Sequence, residues 1–354
     1  MKKSLIYILG LVLILGLSAQ GKIYSFDYQK MVVLPTDPEL FIINKIGDVE
    51  IKGAPVSRMT IDAVKHVRAA DQDEAEVVAE HIEIKVSQSG RKLTVRTNFR
   101  KLKGSSDSFW SRLFGSGEDS FGSVDFVITV PQNCRVNVDN LSGSITVSGV
   151  HAPVNVTGTD EEIRLDDIHA DAVINSMSSD INLTGITGRV DITTGGSNIE
   201  FNSITGAIDI HSTSGLKKGS YISGPVTISQ TSGAVEVTYL IGDLQLRSTS
   251  GNVSVEQEEG AVSIQTHTGD VDIKTELNSS RDYYVETSTG SINFSVPETS
   301  SGNIRIETTS GEINTKLPIS INSVSQNKMS GSFGSGGPNI TLITETGDII
   351  VEEF

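Results

Sequence analysis

The sequence contains one cysteine and few aromatic residues, and both shortages restrict what the chain can be. A single thiol cannot form an internal disulfide, so the fold must be stable without one. Phe, Trp and Tyr together make up 5% of the residues, which is typical of thin, repetitive cores built from small aliphatic side chains. A globular enzyme of 354 residues usually has more. Because Cys134 alternates with Val136 and Val138, we interpret it as a buried, inert thiol.

Positive charge is also scarce, since 28 Lys and Arg residues stand against 44 Asp and Glu residues. The resulting formal charge of −16 argues against binding to nucleic acid and against non-specific binding to anionic membranes. We therefore expect no nucleic-acid partner.

Glycine is abundant and regularly spaced between residues 206 and 269, where it returns every nine residues. Most of these glycines are followed by aliphatic side chains at the second and fourth positions, as in Gly233 with Val235 and Val237. Apolar residues two apart share one face of a strand, and the glycine supplies a bend. The unit after Gly215 is the exception, because Lys217 and Gly219 occupy the aliphatic positions.

A second, longer period shows that the nine-residue units come in alternating kinds. Every second unit of the frame has an aliphatic residue two positions before its glycine, or before the alanine that replaces that glycine in the first two units. This column comprises Val150, Ile168, Ile186, Ile204, Ile222 and Leu240. The alternate units carry a threonine there. The repeat is thus eighteen residues made of two unlike nine-residue halves, which predicts an all-β, single-stranded parallel β-solenoid of about seven coils over residues 143–269. A series of antiparallel sandwiches is the alternative, but a constant frame favours the solenoid.

The first 21 residues resemble a secretory signal peptide. Lys2 and Lys3 precede an apolar run from Leu5 to Leu17, and small residues follow. The run is shorter than the roughly 20 residues that span a bilayer. We expect an exported protein that is periplasmic, on the cell surface or secreted, without a membrane span after cleavage. An uncleaved anchor in the inner membrane is the alternative.

Residues 22–99 are predicted to cap the N-terminal end of the solenoid. Asp71 and Glu74 have the spacing of a capping box, which predicts a short helix over about 72–80. Alternating aliphatic residues on both sides of Ser89 and Gly90 predict a hairpin directly after it. Such a segment covers the unpaired strand groups that an open solenoid end exposes.

Residues 100–123 form a Gly/Ser-rich segment with basic and aromatic side chains inside an otherwise acidic chain. It allows two interpretations. One is a loop whose aromatic rings pack back onto the solenoid, and the other is a loop that docks on a partner, either a glycan or a protein of the envelope or cell surface. The candidate docking residues are Arg100, Lys101, Lys103, Phe109, Trp110 and Phe114.

The solenoid pattern resumes over residues 124–354. The closing stretch from Thr346 to Val351 has the pattern of another coil, which we expect to serve as the cap of the C-terminal end.

The sequence predicts no metal and no cofactor. The segment Gly195–Asn198 lacks the aspartate of calcium-binding nine-residue repeats. His151 and His169 are eighteen residues apart and should stack on successive coils, with Asp167 nearby. A metal would need that third ligand to approach, and a solvated column of polar side chains is the alternative interpretation.

An acidic cluster allows an enzymatic alternative. Two carboxylates about 5–10 Å apart are the requirement of a glycoside hydrolase, and stacked coils could provide that spacing. Aromatic side chains that would stack on a sugar are missing there, so we assign no catalytic residue. The cluster comprises Asp160, Glu161, Glu162, Asp166 and Asp167.

Three features of residues 37–354 form a recognisable pattern. They are the repeated Thr-Ser-Gly-x-Ile/Val-x-Val units, residues 284–292 leading to Val296 and Pro297, and Ile340, Leu342 and Gly347–Ile349 near the end. In these features the chain resembles a family of exported bacterial β-strand-repeat proteins that are candidate adhesins of unknown function. The resemblance implies a binding or structural module and brings no catalytic residues, and it does not include residues 100–123.

The sequence therefore predicts a non-enzymatic, exported β-solenoid that acts as an adhesin or as a binding or structural module of the cell envelope. Two alternatives remain. One is a polysaccharide-active enzyme that uses the acidic cluster 160–167, and the other is a membrane-anchored envelope scaffold or regulatory partner.

Overall fold

The computed structural model describes residues 22–100 and 122–354, which form two long β-sheets and one short helix. The predicted all-β class with parallel sheets is confirmed. Strands are numbered in chain order, and the helix α1 spans Gln72–His81. In sheet order, the fifteen strands of the first sheet are β1 (Lys22–Val33), β4 (Arg58–Ala69), β7 (Gly122–Pro131), β3 (Val49–Ala54), β9 (Ile145–Ser148), β11 (Ile163–Ile168), β13 (Ile181–Thr187), β15 (Ile199–Thr205), β17 (Lys217–Ser223), β19 (Val235–Ile241), β21 (Val253–Glu259), β23 (Val271–Thr275), β25 (Ile292–Val296), β31 (Ile349–Glu353) and β27 (Ile313–Thr315).

The second sheet has sixteen strands within the described ranges, and from β8 to β25 the chain alternates between the two sheets. In sheet order its strands are β28 (Ser320–Ser325), β29 (Lys328–Phe333), β26 (Gly302–Ser310), β30 (Asn339–Thr346), β24 (Tyr283–Thr289), β22 (Val262–Thr268), β20 (Leu244–Ser250), β18 (Val226–Ser232), β16 (Ile208–Ser212), β14 (Val190–Thr194), β12 (Ala172–Ser176), β10 (Val154–Gly158), β8 (Arg135–Ser142), β2 (Glu39–Ile46), β6 (Lys92–Phe99) and β5 (Ile82–Ser89).

The core lies between the sheets and consists of aliphatic side chains that repeat in register. Strands β13, β15 and β17 pair in parallel, with Ile186 opposite Ile204 and Ile204 opposite Ile222. All three isoleucines are buried. Each fully buried aliphatic side chain stabilises the fold by roughly 1.5–3 kcal/mol before chain entropy is subtracted. A single coil has nothing to bury these side chains against, so stability comes from stacking.

The irregular unit after Gly215 is accommodated by its neighbours. Gly219 leaves space for the Phe201 ring of the adjacent strand, since a Cβ at Gly219 would come within 2.2 Å of that ring. Lys217 is fully buried, and its Nζ donates to the Ser212 hydroxyl at 2.7 Å and to two corner carbonyls. Its acceptors are neutral, and burial lowers the pKa of Lys217 to about 8.

The corners stack as closely as the strands. Gly233 has φ +117°, and a Cβ there would lie 2.2 Å from the carbonyl oxygen of Gly215, one coil away. At the opposite corner, the carboxylate of Asp243 accepts a hydrogen bond from the backbone N–H of Ala261 at 2.9 Å. The Gly-Asp pairs of the sequence thus join successive coils, because glycine permits the close approach and aspartate satisfies a backbone donor.

The helix and hairpin of the N-terminal segment are confirmed. Asp71 caps α1 by accepting the N–H of Glu74 at 2.9 Å, and the Glu74 carboxylate accepts the N–H of Ala70 at 2.9 Å. Strands β5 and β6 form the antiparallel hairpin. Strands β1 and β4 were not predicted. They extend the first sheet by antiparallel pairing, with β4 between β1 and β7.

The prediction that the closing stretch caps the solenoid is wrong. Strand β30 lies between β24 and β26, and β31 lies between β25 and β27. The segment containing β26 to β29 is thereby displaced outward, so β27 and β28 form the edges. Parallel pairing depends on matching side-chain faces rather than on sequence order, which explains how a later segment can insert.

None of the helices within residues 22–100 and 122–354 has the length and apolar character needed to cross a membrane.

Candidate functional site

The predicted docking loop can be followed only at its first residue. The guanidinium of Arg100 pairs with the Glu83 carboxylate at 2.7 Å, and its backbone N–H donates to the carbonyl of His81. The remaining candidates lie outside the described residues, as does the predicted signal peptide. These candidates are Lys101, Lys103, Phe109, Trp110 and Phe114.

The acidic cluster 160–167 has two of its carboxylates held in surface contacts. Glu162 accepts hydrogen bonds from Arg164 and Asn182, each at 2.5 Å. Asp167 lies 2.9 Å from the Nε2 atom of His169. These contacts are ion pairs and hydrogen bonds between exposed or half-buried groups, and they do not favour the hydrolase alternative.

A column of left-handed residues runs along the first sheet, near the end of each strand. In β19, both Thr238 and Tyr239 point away from the core before Leu240 turns inward again. The neighbouring strand β17 has the same outward pair in matching register, so the strands bend together. The column contains one residue per coil with φ between 53° and 66°, namely Gly149, Asp167, Gly185, Ser203, Tyr221 and Tyr239.

This column ends at Tyr239 because the next strand changes register. Leu240 lies opposite Gln257 and Ile241 lies opposite Glu259, so β21 has one residue fewer before its inward position. Gln257 is buried, and its amide donates to the carbonyl of Gly242 at 2.7 Å. The surface therefore changes shape beside Tyr239.

An open groove of about 390 Å³ lies at this step, and we call it the aromatic groove. The exposed rings of Tyr221 and Tyr239 stack with centroids 4.8 Å apart and an interplanar angle of 5°. They are 60% and 44% exposed, respectively. The groove is lined by Tyr239, Ile241, Glu256–Glu259, Lys274, Glu276 and Phe354.

The groove combines apolar faces with hydrogen-bond acceptors. Lys274 lies 4.4 Å from the centroid of the Phe354 ring and 3.3 Å from the Glu256 carboxylate, so its charge is shared between the two. The carboxylates of Glu258 and Glu259 are acceptors only. Such a surface suits a ligand that has a flat apolar face and several hydroxyl donors.

Sequence reasoning missed this groove, although the sequence contains two signals for it. Tyr221 and Tyr239 are eighteen residues apart, so their stacking follows from the repeat. The aliphatic column stops at Leu240, because the residue eighteen positions later is Glu258. That interruption marks the register change.

The predicted stacking of His151 and His169 is present. Their ring centroids lie 4.6 Å apart, with the planes at 64°. The nearby Asp167 carboxylate contacts His169, so the structure brings all three side chains together.

Comparison with known proteins gives a family and several distant structural neighbours. The sequence model of the Toastrack DUF4097 family matches residues 38–280 and 224–352. A candidate cell adhesion protein from Clostridium sporogenes is 10% identical, with 94% of this chain and 100% of that chain covered and a TM-score of 0.20. A candidate adhesin from Bacteroides fragilis is 10% identical over 94% and 97% of the two chains, with a TM-score of 0.25.

A candidate lipid binding protein from Parabacteroides distasonis is 9% identical over 93% and 96% of the two chains, with a TM-score of 0.26. Likeness at these levels carries no conclusion about function. No curated protein matches the sequence.

Proposed function

The chain belongs to the Toastrack DUF4097 family, and on this premise we propose that it is a non-enzymatic, exported β-solenoid that acts as an adhesin or as a binding or structural module of the cell envelope. The long parallel sheets support this role, because they present a continuous flank of side chains. Its formal charge of −16 argues against a polyanionic ligand.

The proposed architecture is a stack of eighteen-residue coils, each made of two halves. Its support is the register of pairing, in which Ile163 lies opposite Ile181 and Ile210 lies opposite Ile228. We assign residues 22–99 to an N-terminal cap, residues 100–123 to a docking loop and residues 124–354 to the repeat. Residues 1–21 are assigned to a cleaved signal peptide, which places the protein in the periplasm, on the cell surface or outside the cell.

The proposed working surface is the aromatic groove, and the proposed ligand class is a neutral glycan. The observation that carries this proposal is the stacked, solvent-exposed pair Tyr221 and Tyr239 beside a row of carboxylates. Exposing two large rings leaves apolar surface in water, which a sugar ring would cover, while its hydroxyls donate to the glutamates. The loop 100–123 is the second candidate docking surface.

A glycan array followed by titration of the bound glycan tests this assignment. We expect Tyr239→Ala to weaken binding by about tenfold or more, because it removes the ring that forms both the stack and the groove wall. Met177→Ala is the matched control, since Met177 is an exposed apolar side chain that does not line the groove. It should leave affinity unchanged.

Other results would redirect the proposal. If Tyr239→Ala binds as tightly as wild type and deletion of residues 104–120 abolishes binding, the working surface is the loop. If the protein degrades a bound polysaccharide and Asp166→Asn stops that reaction, the non-enzymatic role is wrong.

A further inference from the structure

The imidazoles of His151 and His169 contact each other, and each histidine lies two residues after a member of the left-handed column, Gly149 or Asp167. The N–H of His151 donates to the carbonyl of Gln132 at 2.7 Å, and the N–H of His169 donates to the carbonyl of Val150 at 2.9 Å. These bonds fix both residues at equivalent places on successive coils. The rings therefore lie at the spacing that parallel strands impose, about 4.8 Å.

Asp167 is turned toward this pair by its backbone conformation. Its φ of 55° is left-handed, whereas the coils on either side have glycine at that place, namely Gly149 and Gly185. Aspartate tolerates this region better than most residues but still at some cost in strain. The carboxylate is exposed, and one of its oxygens lies 2.9 Å from the Nε2 atom of His169.

We propose that His151, Asp167 and His169 form a binding site for one divalent transition-metal ion of the zinc class. One ligand atom from each residue lies within 4.8 Å of the others. A tetrahedral zinc ion with bonds of about 2.0–2.1 Å separates its ligand atoms by about 3.4 Å. All three side chains are exposed, so rotation about their side-chain bonds can close this difference.

The donor set selects the class of ion. Two imidazoles with one carboxylate suit zinc, nickel or copper, whereas calcium and magnesium prefer oxygen ligands. The amide of Gln132 lies 3.5 Å from the Nε2 atom of His151. Because amide oxygen and nitrogen exchange places by rotation, Gln132 can offer its oxygen as a fourth ligand, and water can take the same position.

The bound ion would link two successive coils. His151 follows β9, whereas Asp167 and His169 belong to the next coil of the first sheet. Occupation of the site therefore stabilises the stack, independently of any ligand in the aromatic groove.

Calorimetric titration of the purified protein with zinc chloride, in excess magnesium to occupy weak acidic sites, tests the proposal. We expect the titration to give one zinc per chain. Thermal unfolding of the zinc-saturated protein should show a rise in melting temperature of about 2–4 °C. His151→Ala and His169→Ala should each weaken binding by at least about tenfold. Cobalt(II) should bind at the same place and give the visible absorption of a tetrahedral site.

His211→Ala is the matched control, because His211 also contacts an aspartate, Asp209, at 3.3 Å. It should leave zinc binding unchanged. The proposal is overturned if wild type takes up no stoichiometric zinc. It is equally overturned if His151→Ala and His169→Ala, folded by circular dichroism, bind as tightly as wild type.

Discussion

A methyl group added to one corner of the stack should destabilise the whole protein. Gly233 lies at the corner between β18 and β19, with its Cα against the carbonyl oxygen of Gly215 in the adjacent coil. Replacement by alanine places a Cβ 2.2 Å from that oxygen, a distance that real Cβ atoms do not show. The obstacle is backbone, so it cannot rotate away as a side chain could.

Two effects add at this position. A φ of +117° is accessible to glycine but costs an alanine about 1–3 kcal/mol. Relief of the clash requires the two coils to separate, and overpacking of this kind costs about 1–3 kcal/mol. We therefore expect Gly233→Ala to lower the free energy of unfolding by about 2–6 kcal/mol, which is a large part of the stability of a typical domain.

Urea unfolding followed by circular dichroism measures this loss, and hydrogen exchange locates it. Protection should fall first in β18 to β20, around the altered corner. Gly90→Ala is the control, because Gly90 also has a positive φ, of +59°, but a Cβ there meets nothing within 4 Å. It should cost about 1 kcal/mol. Equal losses for the two variants would refute the argument that close stacking of corners determines stability.

Two buried groups give further predictions. The pKa of Lys217 is lowered by burial to about 8, below its ordinary value of 10.5, so between these values the unfolded chain holds a proton that the folded chain has released. The free energy of unfolding of the wild type should therefore rise by about 3 kcal/mol from pH 8 to 10.5, relative to that of Lys217→Met. Urea unfolding midpoints of both proteins across that range measure this difference. If the two proteins show the same dependence on pH, the prediction is wrong. Burial also raises the pKa of Cys134 to about 12. At pH 8 its thiol should react with a disulfide reagent about a thousandfold more slowly in the native protein than in urea, and equal rates would contradict its burial.

The long parallel sheets could be predicted from sequence because parallel pairing places strict demands on which residues face the core. Side chains on a strand alternate between faces, so a shift of one residue would expose Ile186 and bury a polar neighbour. A regular spacing of aliphatic residues maintained over many strands therefore indicates parallel pairing directly. The capping box at Asp71 and the hairpin around Gly90 were predictable for a similar reason, since each depends on residues close in sequence.

Long-range pairing without a repeat could not be predicted. Strands β1 and β4 pair antiparallel, and their apolar residues do not follow the eighteen-residue frame. The insertion of β30 between β24 and β26 was also missed. Thr287, Thr308 and Thr344 occupy equivalent inward places in these three strands and are all buried, so their sequences do not specify which strand lies at the edge.

Interior polar residues could not be predicted, because the periodic signal consists of aliphatic side chains. Gln257 stands where the preceding coil has Leu240, yet its buried amide donates to the carbonyl of Gly242 and its oxygen accepts from the hydroxyl of Thr275 at 2.9 Å. An unpaired buried amide would cost several kcal/mol, so this position is satisfied by both neighbours. Gln257 also lies at the register change that shapes the groove.

A perfectly periodic solenoid presents the same surface at every coil, so a unique site requires a departure from the repeat. The left-handed column supplies two such departures. At Asp167 the column carries a carboxylate, whereas its two neighbours in the column, Gly149 and Gly185, have no side chain. Two histidines lie beside Asp167. At Tyr239 the column ends, and the change of register opens a groove against exposed rings. Each candidate site thus lies where the repeat is interrupted, by a different side chain at Asp167 and by a change of register after Tyr239. The strict period that reveals the fold therefore does not reveal the function.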